Sequence, residues 1–367
     1  MLNHWLKPLP RAFGKYLGTF PPHTLGHKVR VIEQKSADLA GVQVALVGAG
    51  ERQALAVREF LYRMTFPHAA GKVADLGDVR ADEATSLRAV VAQLLSARIL
   101  PIVVASSDDL ARIQFLAYEE EHLRVNLAIV DERIRIADPK INSAEECIYT
   151  ALLRPPHPLL FHCSLIGYQI HYTPEEWVSY FSKNQYDLLR LGKSRAAIEE
   201  AEPLLRDADL LCFHVSALKA SEAPGVRDPS PSGYTWEEAC QLSWYAGMSD
   251  KLTSLGVYGF VRENCSLTAQ GIAQLIWFFL NGFFNRKGDF PFSTEGLKEY
   301  VVDFRGMNSP LTFWKSVRTG RWWFQAPSAS PTHHERHFLV PCSLQDYQTV
   351  CAGELPERLM RALQRFS

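Results

Sequence analysis

Three polar side chains stand where apolar segments stop. Asp108 follows the run 100–104, Asp131 follows 125–130, and His214 sits near the end of 210–215. Two carboxylates and an imidazole can hold a polar ligand if the fold brings them to one place. Asp131 is followed by Arg133 and Arg135, and His214 by Ser216, so both signs of charge and a hydroxyl belong to the same stretches. Other arrangements carry less. Cys212 and His214 are two apart on one strand and share a face, the geometry of a Cys–His nucleophile, but both lie in a buried run and a packed thiol is the preferred reading. His333 and His337 have a zinc-like i, i+4 spacing. Pro327 to Pro331 leads into them as a loop and H-E-x-x-H is not matched, so no metal is expected there. Gly48-Ala49-Gly50 after a strand could cradle a phosphate, but G-x-G-x-x-G would need glycine at Gln53; a tight strand-to-helix turn suffices.

The elements that must position these residues alternate. Apolar strands are expected at 42–47, 100–104, 125–130, 159–166, 186–192, 210–215 and 255–258, with helices at 54–64, 82–97, 196–205, from Thr235, and 268–285. Continuous apolar runs indicate strands buried on both faces, as in a parallel sheet. Strands separated by helices give βα units, and right-handed crossovers put all strand C-termini on one rim, where ligands gather. Thr235 with Glu238 three residues on is a capping box. The stripe Ile272, Leu275, Ile276, Phe279 and Phe283 is a core-facing helix side. Residues 1–40, with Pro8, Pro10, Pro21 and Pro22, read as an irregular lead-in, and 41–290 as the α/β domain. Residues 291–367 form a tail whose Trp314, Trp322, Trp323 and Phe324 should pack on it rather than dangle.

At 367 residues, 47% apolar, 22% charged and net charge −1, the chain has no nucleic-acid footprint and no disorder signature. No signal peptide is read, and the most apolar window, 272–284, is too short to span a bilayer. Seven cysteines without C-x-x-C pairs fit buried thiols in a reducing cytosol.

Specific runs resemble a known family. Residues 207–264 have the layout of the C-terminal half of the ureohydrolases (arginase, agmatinase, formimidoylglutamase): a strand end, a Pro224-Gly225 turn, a helix entry at Thr235, then a second strand. Asp75-Leu76-Gly77-Asp78-Val79 is close to the family's D-x-G-D-V, with Arg58 and Leu61-Tyr62 on the preceding helix. Glu237 to Gln241, Tyr245 to Leu252 and Asn285-Arg286-Lys287 are similar to a bacterial formimidoylglutamase-like subgroup. The resemblance covers about residues 40–290 plus the tail. It implies an arginase-like three-layer α/β fold with a central, mostly parallel sheet of about eight strands and helices on both faces.

The same resemblance implies a site. The family binds two Mn²⁺ through four Asp and two His, and a bridging water attacks a guanidinium or formimino carbon. Carried over, Asp108 stands at the first His, Asp131 at the first Asp, Arg133 at the second His and Arg135 at the next Asp. His214 and Ser216 stand at the first and last Asp of the later motif, and Gly259 replaces a substrate-side Glu. At most three ligands survive. Without metal, clustered carboxylates would drive each other's pKa values up, and Arg133 and Arg135 beside Asp108 and Asp131 rebalance the charge. A guanidinium substitutes for a metal electrostatically but cannot activate water. The expectation is a non-hydrolytic pseudoenzyme in the cytoplasm, without cofactor, that binds a small ligand or a protein partner and neither nucleic acid nor membrane, with a homo-oligomer left open. The alternative is an amidine C–N hydrolase using a single manganese on Asp108, Asp131 and His214. A third reading is a structural partner assembled through its aromatic tail.

Overall fold

The computed structural model describes residues 2–32, 39–80, 82–121, 124–290, 295–305, 307, 309–326 and 338–366. Apolar runs of five or six residues cannot present one wet face, and they settle into a sheet covered on both sides. Ten strands build it: β1 (Leu6–Lys7), β2 (Arg30–Val31), β3 (Val44–Ala49), β4 (Val73–Val79), β5 (Leu100–Ala105), β6 (Val125–Val130), β7 (Leu160–Tyr168), β8 (Asp187–Arg190), β9 (Leu210–His214) and β10 (Ser254–Tyr258). Their order is β1-β4-β3-β5-β10-β9-β6-β7-β8, with β2 also on β4. β3 to β10 are mutually parallel. The expected eight strands are this parallel core. The full sheet is larger because β1, antiparallel, and β2, parallel, both add to the outer side of β4, which protects an otherwise open edge.

Alternate residues of each strand feed two cores. Leu46, Val130 and Phe213 face the helices Glu51–Leu61, Trp236–Gly247 and Ser266–Phe284. Val47, Ile129 and Cys212 face Glu83–Ser96, Leu110–Leu116 and Glu175–Lys183. The result is the three-layer α/β arrangement. The Thr235 capping box is formed: Thr235 N donates to Glu238 Oε2 at 2.8 Å and Glu238 N to Thr235 Oγ1 at 3.3 Å. The Ser266–Phe284 helix has 19 residues and by length and composition could cross a membrane, which corrects the shorter window read from the sequence. Its residues Ile272, Leu275, Ile276 and Phe279 are fully buried in the core.

Three segments differ from expectation. The lead-in is not irregular: it carries helices Arg11–Leu17 and Leu25–Lys28, and Phe13, Leu17 and Leu25 are buried in the core with Tyr62. Its prolines punctuate these turns, Pro10 standing directly before the first helix. The helix expected at 196–205 is broken into Leu191–Ala196, a 3₁₀ turn Ile198–Ala201 and Glu202–Asp207, the last entered through Pro203, whose fixed φ suits a helix start. The tail builds a second sheet, antiparallel in the order β11 (Leu297–Val302), β12 (Leu311–Ser316), β13 (Trp322–Gln325), β14 (Leu339–Cys342). Trp322, Trp323 and Phe324 are buried in it. Arg206 donates to the carbonyls of Trp322 and Cys342 at 3.1 Å each and lies 4.5 Å from the Trp323 ring centroid. Arg358 pairs with Glu200 at 3.0 Å and Arg361 with Asp187 at 3.1 Å.

Candidate functional site

The chain lays down β3 and β5 side by side, then starts β6 three places further along the sheet. β9 and β10 fill the gap later, so β5, β10, β9 and β6 are consecutive neighbours. A crevice at the C-terminal ends of such strands is where this class of fold binds ligands. Asp108, Gly259, His214 with Ser216, and Asp131 follow these four strands in that spatial order.

Beyond β6 the chain has no regular structure, and this lets a side chain turn back. Arg135 does so. Its Nε donates to Asp131 Oδ2, its Nη2 donates to Ser216 Oγ at 3.0 Å, and Nη1 lies 3.8 Å from Asp108 Oδ2. Ser216 Oγ donates to Asp131 Oδ1 at 3.0 Å, and the Glu132 backbone N–H adds a 2.7 Å bond to the same oxygen. Asp131 is fully buried and Arg135 nearly so. Burial works against a guanidinium's charge, but Asp131 and Asp108 outweigh it and hold the Arg135 pKa above its ordinary value.

His214, also fully buried, links Asp108 to the interior: Nδ1 lies 2.9 Å from Asp108 Oδ1, and Nε2 is 2.6 Å from the Tyr149 hydroxyl. Tyr149 also donates its backbone N–H to the Arg135 carbonyl at 3.0 Å, tying the two arms together. Burial pushes the Asp108 carboxyl up, but His214 and then Arg135 overcome this and bring it down to about 2. Gly259 has φ of +87°, and a Cβ there would meet Asp108 Oδ1 at 2.9 Å. Any side chain at this position would strain the backbone and crowd the Asp108–His214 bond.

Above these groups lies a cavity of about 400 Å³, lined among others by Asp108, Glu132, Arg133, Arg135, Ser216 and Gly259. Arg133 does not join Asp108 or Asp131. It turns to Glu132, with Nε 3.0 Å from Oε1 and Nη2 on the same oxygen, and lies 5.0 Å from the Tyr172 ring centroid. On the outer wall Arg227 pairs with Glu145. Tyr149, Glu132, Glu145 and Arg227 were not singled out from the sequence. Ser143 with Glu146 three residues on does carry a readable capping-box signal for one wall, and the structure forms that box. The Cys212 thiol is fully buried and pushed up to about 12 by burial, which suits packing rather than nucleophilic chemistry. Of the other cysteines, Cys147 and Cys265 are half-buried and Cys351 exposed, so the thiols are not uniformly buried. His333 and His337 lie outside the described residues.

The donors present do not fit a dinuclear manganese centre. The positions that the resemblance assigns to metal ligands hold two carboxylates and one imidazole, both imidazole nitrogens are engaged, and a guanidinium stands between the carboxylates. The smaller set Asp108, Asp131 and His214 does not fit a single ion either. Among the described residues no group of three or more His, Cys, Asp or Glu is arranged to hold a metal ion.

No family model and no curated protein matches this chain by sequence. Solved structures do match its fold. A Trypanosoma cruzi formiminoglutamase with manganese superposes with a TM-score of 0.62 at 17% identity, over 69% of this chain and 97% of the other. Formimidoylglutamase from Bacillus subtilis gives 0.59 at 12% identity, over 70% and 91%. Agmatine ureohydrolase of Thermoplasma volcanium gives 0.57 at 13%, over 74% and 97%. The fold is therefore the arginase-like α/β fold, shared with ureohydrolases at low identity.

Proposed function

We propose that this protein is a non-hydrolytic binding protein on a ureohydrolase scaffold, whose strand-end cavity takes a small polar ligand. The observation that carries the reading is Arg135, buried between Asp131 and Asp108 and bonded to Ser216. The resemblance assigns metal-ligand positions to these residues, and a fixed guanidinium there neutralises the carboxylates that a metal would otherwise hold together. It stays protonated, so it neither leaves nor generates hydroxide, and hydrolysis by a metal-activated water has no agent. A concave site of about 400 Å³ favours a small molecule over a protein surface as the occupant.

Metal analysis and an activity assay test this together. Protein purified with Mn²⁺ present is expected to carry no stoichiometric manganese and to release no urea or formamide from arginine, agmatine or formiminoglutamate. Two bound manganese ions per chain, or turnover above background on any of the three, would overturn it.

A further inference from the structure

We infer that the C-terminal helix Glu357–Phe366 is an acid-released latch: His162, buried at its seam with the α/β domain, accepts a bond from Arg365 only while neutral, and mild acid frees the helix from the sheet. The helix has two faces. Leu359 and Ala362 are buried in the core of the second sheet. Arg358, Arg361 and Arg365, three and four residues apart, share another side and reach the α/β domain. Arg358 donates to the Glu200 carbonyl at 3.1 Å and to its carboxylate at 3.0 Å. Arg361 donates to Asp187 Oδ1 at 3.1 Å. Arg365 donates to the Gln185 carbonyl at 3.3 Å and to His162 Nε2 at 3.1 Å. Phe366 adds a ring contact with Phe161, the centroids 5.6 Å apart. Three arginines thus join the helix to the domain, and their acceptors decide how the seam answers to pH.

His162 Nε2 also lies 2.8 Å from Asp187 Oδ2 and 3.4 Å from Ser164 Oγ. One ring nitrogen cannot accept from Arg365 and donate to Asp187 at once. A neutral ring can leave Nε2 free to accept from Arg365. A protonated ring carries N–H on both nitrogens, so the Arg365 bond is lost and two cations stand side by side. Nδ1 is buried without a partner among the described residues, so protonation gains no bond there. Asp187 favours the proton, but Arg361 already matches it. Burial first and then Arg365 push the His162 pKa below its ordinary value, against the pull of Asp187. The remaining groups around the ring keep their charge in mild acid or are matched. Burial pushes Asp187 up, but His162, Arg365 and Arg361 hold it below the usual carboxylate range. Asp207 pairs with Lys251 at 2.6 Å, and Arg358 with Asp346 at 2.6 Å. Tyr186, its ring 6.0 Å from His162, is pushed up by burial and keeps its proton. A histidine whose folded pKa lies below its free value of about 6.5 favours the docked state only while neutral. That contribution is whole above about pH 6.5 and is lost as pH falls below it.

The test is amide hydrogen exchange read by mass spectrometry on the full chain at pH 7.5 and 5.0, each rate referred to that of an unstructured chain at the same pH. In the unaltered protein the amides of 357–366 are expected to lose roughly 3- to 30-fold of their protection at pH 5.0, the ceiling being about tenfold for each pH unit below 6.5. The Trp236–Gly247 helix should keep its protection. His162→Gln cannot be charged and still offers Arg365 an acceptor, so it should remove most of the loss. Exchange at the ring C2–H of His162 reads its protonation directly, and in the unaltered protein it should titrate over the range in which the helix opens. Should the variant fail to fold, that titration decides alone. Full protection of 357–366 at pH 5.0, an equal loss in the Trp236–Gly247 helix, the same loss in a folded His162→Gln, or a His162 that titrates without the helix opening would each overturn the inference.

Discussion

Two buried arginine–aspartate clusters sit in this one sheet, and they differ in what is left over. On the Glu51–Leu61 helix, Arg58 Nε donates to Asp75 Oδ2 at 2.9 Å, Nη1 to Asp78 Oδ1 at 2.7 Å, and Nη2 to Asp75 Oδ1 at 3.1 Å and the Gly77 carbonyl at 2.7 Å. Tyr62 and the Gly77 N–H close on Asp75. Each nitrogen of that guanidinium donates inside the fold. In the second cluster Arg135 and Asp131 are comparably buried, yet their neighbours open on a cavity where Asp108 is one-fifth exposed. The same ion-pair chemistry fastens the fold where it is saturated and leaves capacity for a ligand where it is not. Burial of charge alone does not separate the two.

The sharpest way to break that contrast is to remove each arginine. Arg58→Ala leaves Asp75 and Asp78 buried without their counter-ion, and its cost is expected to be the largest, about 4 kcal/mol, because nothing nearby can replace the donors. Urea melts followed by circular dichroism measure it. A loss below about 1 kcal/mol would show that the sealed cluster contributes little and that the comparison is misplaced.

Arg135→Ala is expected to cost somewhat less, about 3 kcal/mol, since the cavity can admit water to Asp131. The double change with Asp131→Ala should recover part of that loss, so the four melts should show coupling of roughly 1–3 kcal/mol. The sequence offered Arg133 and Arg135 equally for this pairing. Arg133 is about one-third exposed and bound to Glu132, so Arg133→Ala should be additive with Asp131→Ala. Additivity for Arg135 as well would mean that the buried bridge is not holding the rim together.

That ambiguity marks the limit of what was legible. β6 begins and ends where its largely apolar run does, because a strand buried on both faces writes its burial directly into the sequence. The D-x-G-D-V segment and the helix carrying Arg58 and Tyr62 were legible through the family resemblance, but the bonds that join them were not. Past β6 there is no period to follow, so nothing local tells that Arg135 turns back and Arg133 turns away. Tyr149 meets His214 from 65 residues away through a fold-level contact that no spacing encodes. The second sheet had a hairpin signal in Thr319-Gly320 between β12 and β13, with Gly320 at φ +74°, but aromatic density alone was read there.

The smallest effect concerns Asp108, and it tests whether the rim cluster is coupled across its four strands. Its carboxyl is held down to about 2 by His214 and Arg135 against the opposing pull of burial. A carboxylate whose folded pKa lies below its unfolded value of about 4 favours the folded state once ionised. That contribution is complete above about pH 4 and is lost as pH falls from there to about 2. It amounts to roughly 2.5 kcal/mol, one pKa unit corresponding to about 1.4 kcal/mol. Other carboxylates also titrate in acid; Asp187 is held low by its bonds to His162 and by Arg365 and Arg361 despite burial. The quantity to read is therefore the difference between the unaltered protein and Asp108→Asn, in urea melts at pH steps from 5 to 2. The two stability curves should converge as pH falls through this window, because protonation of Asp108 makes the unaltered protein resemble the amide. Curves that stay parallel would show that Asp108 keeps an ordinary carboxylate pKa, and that His214 and Arg135 do not act on it as one cluster.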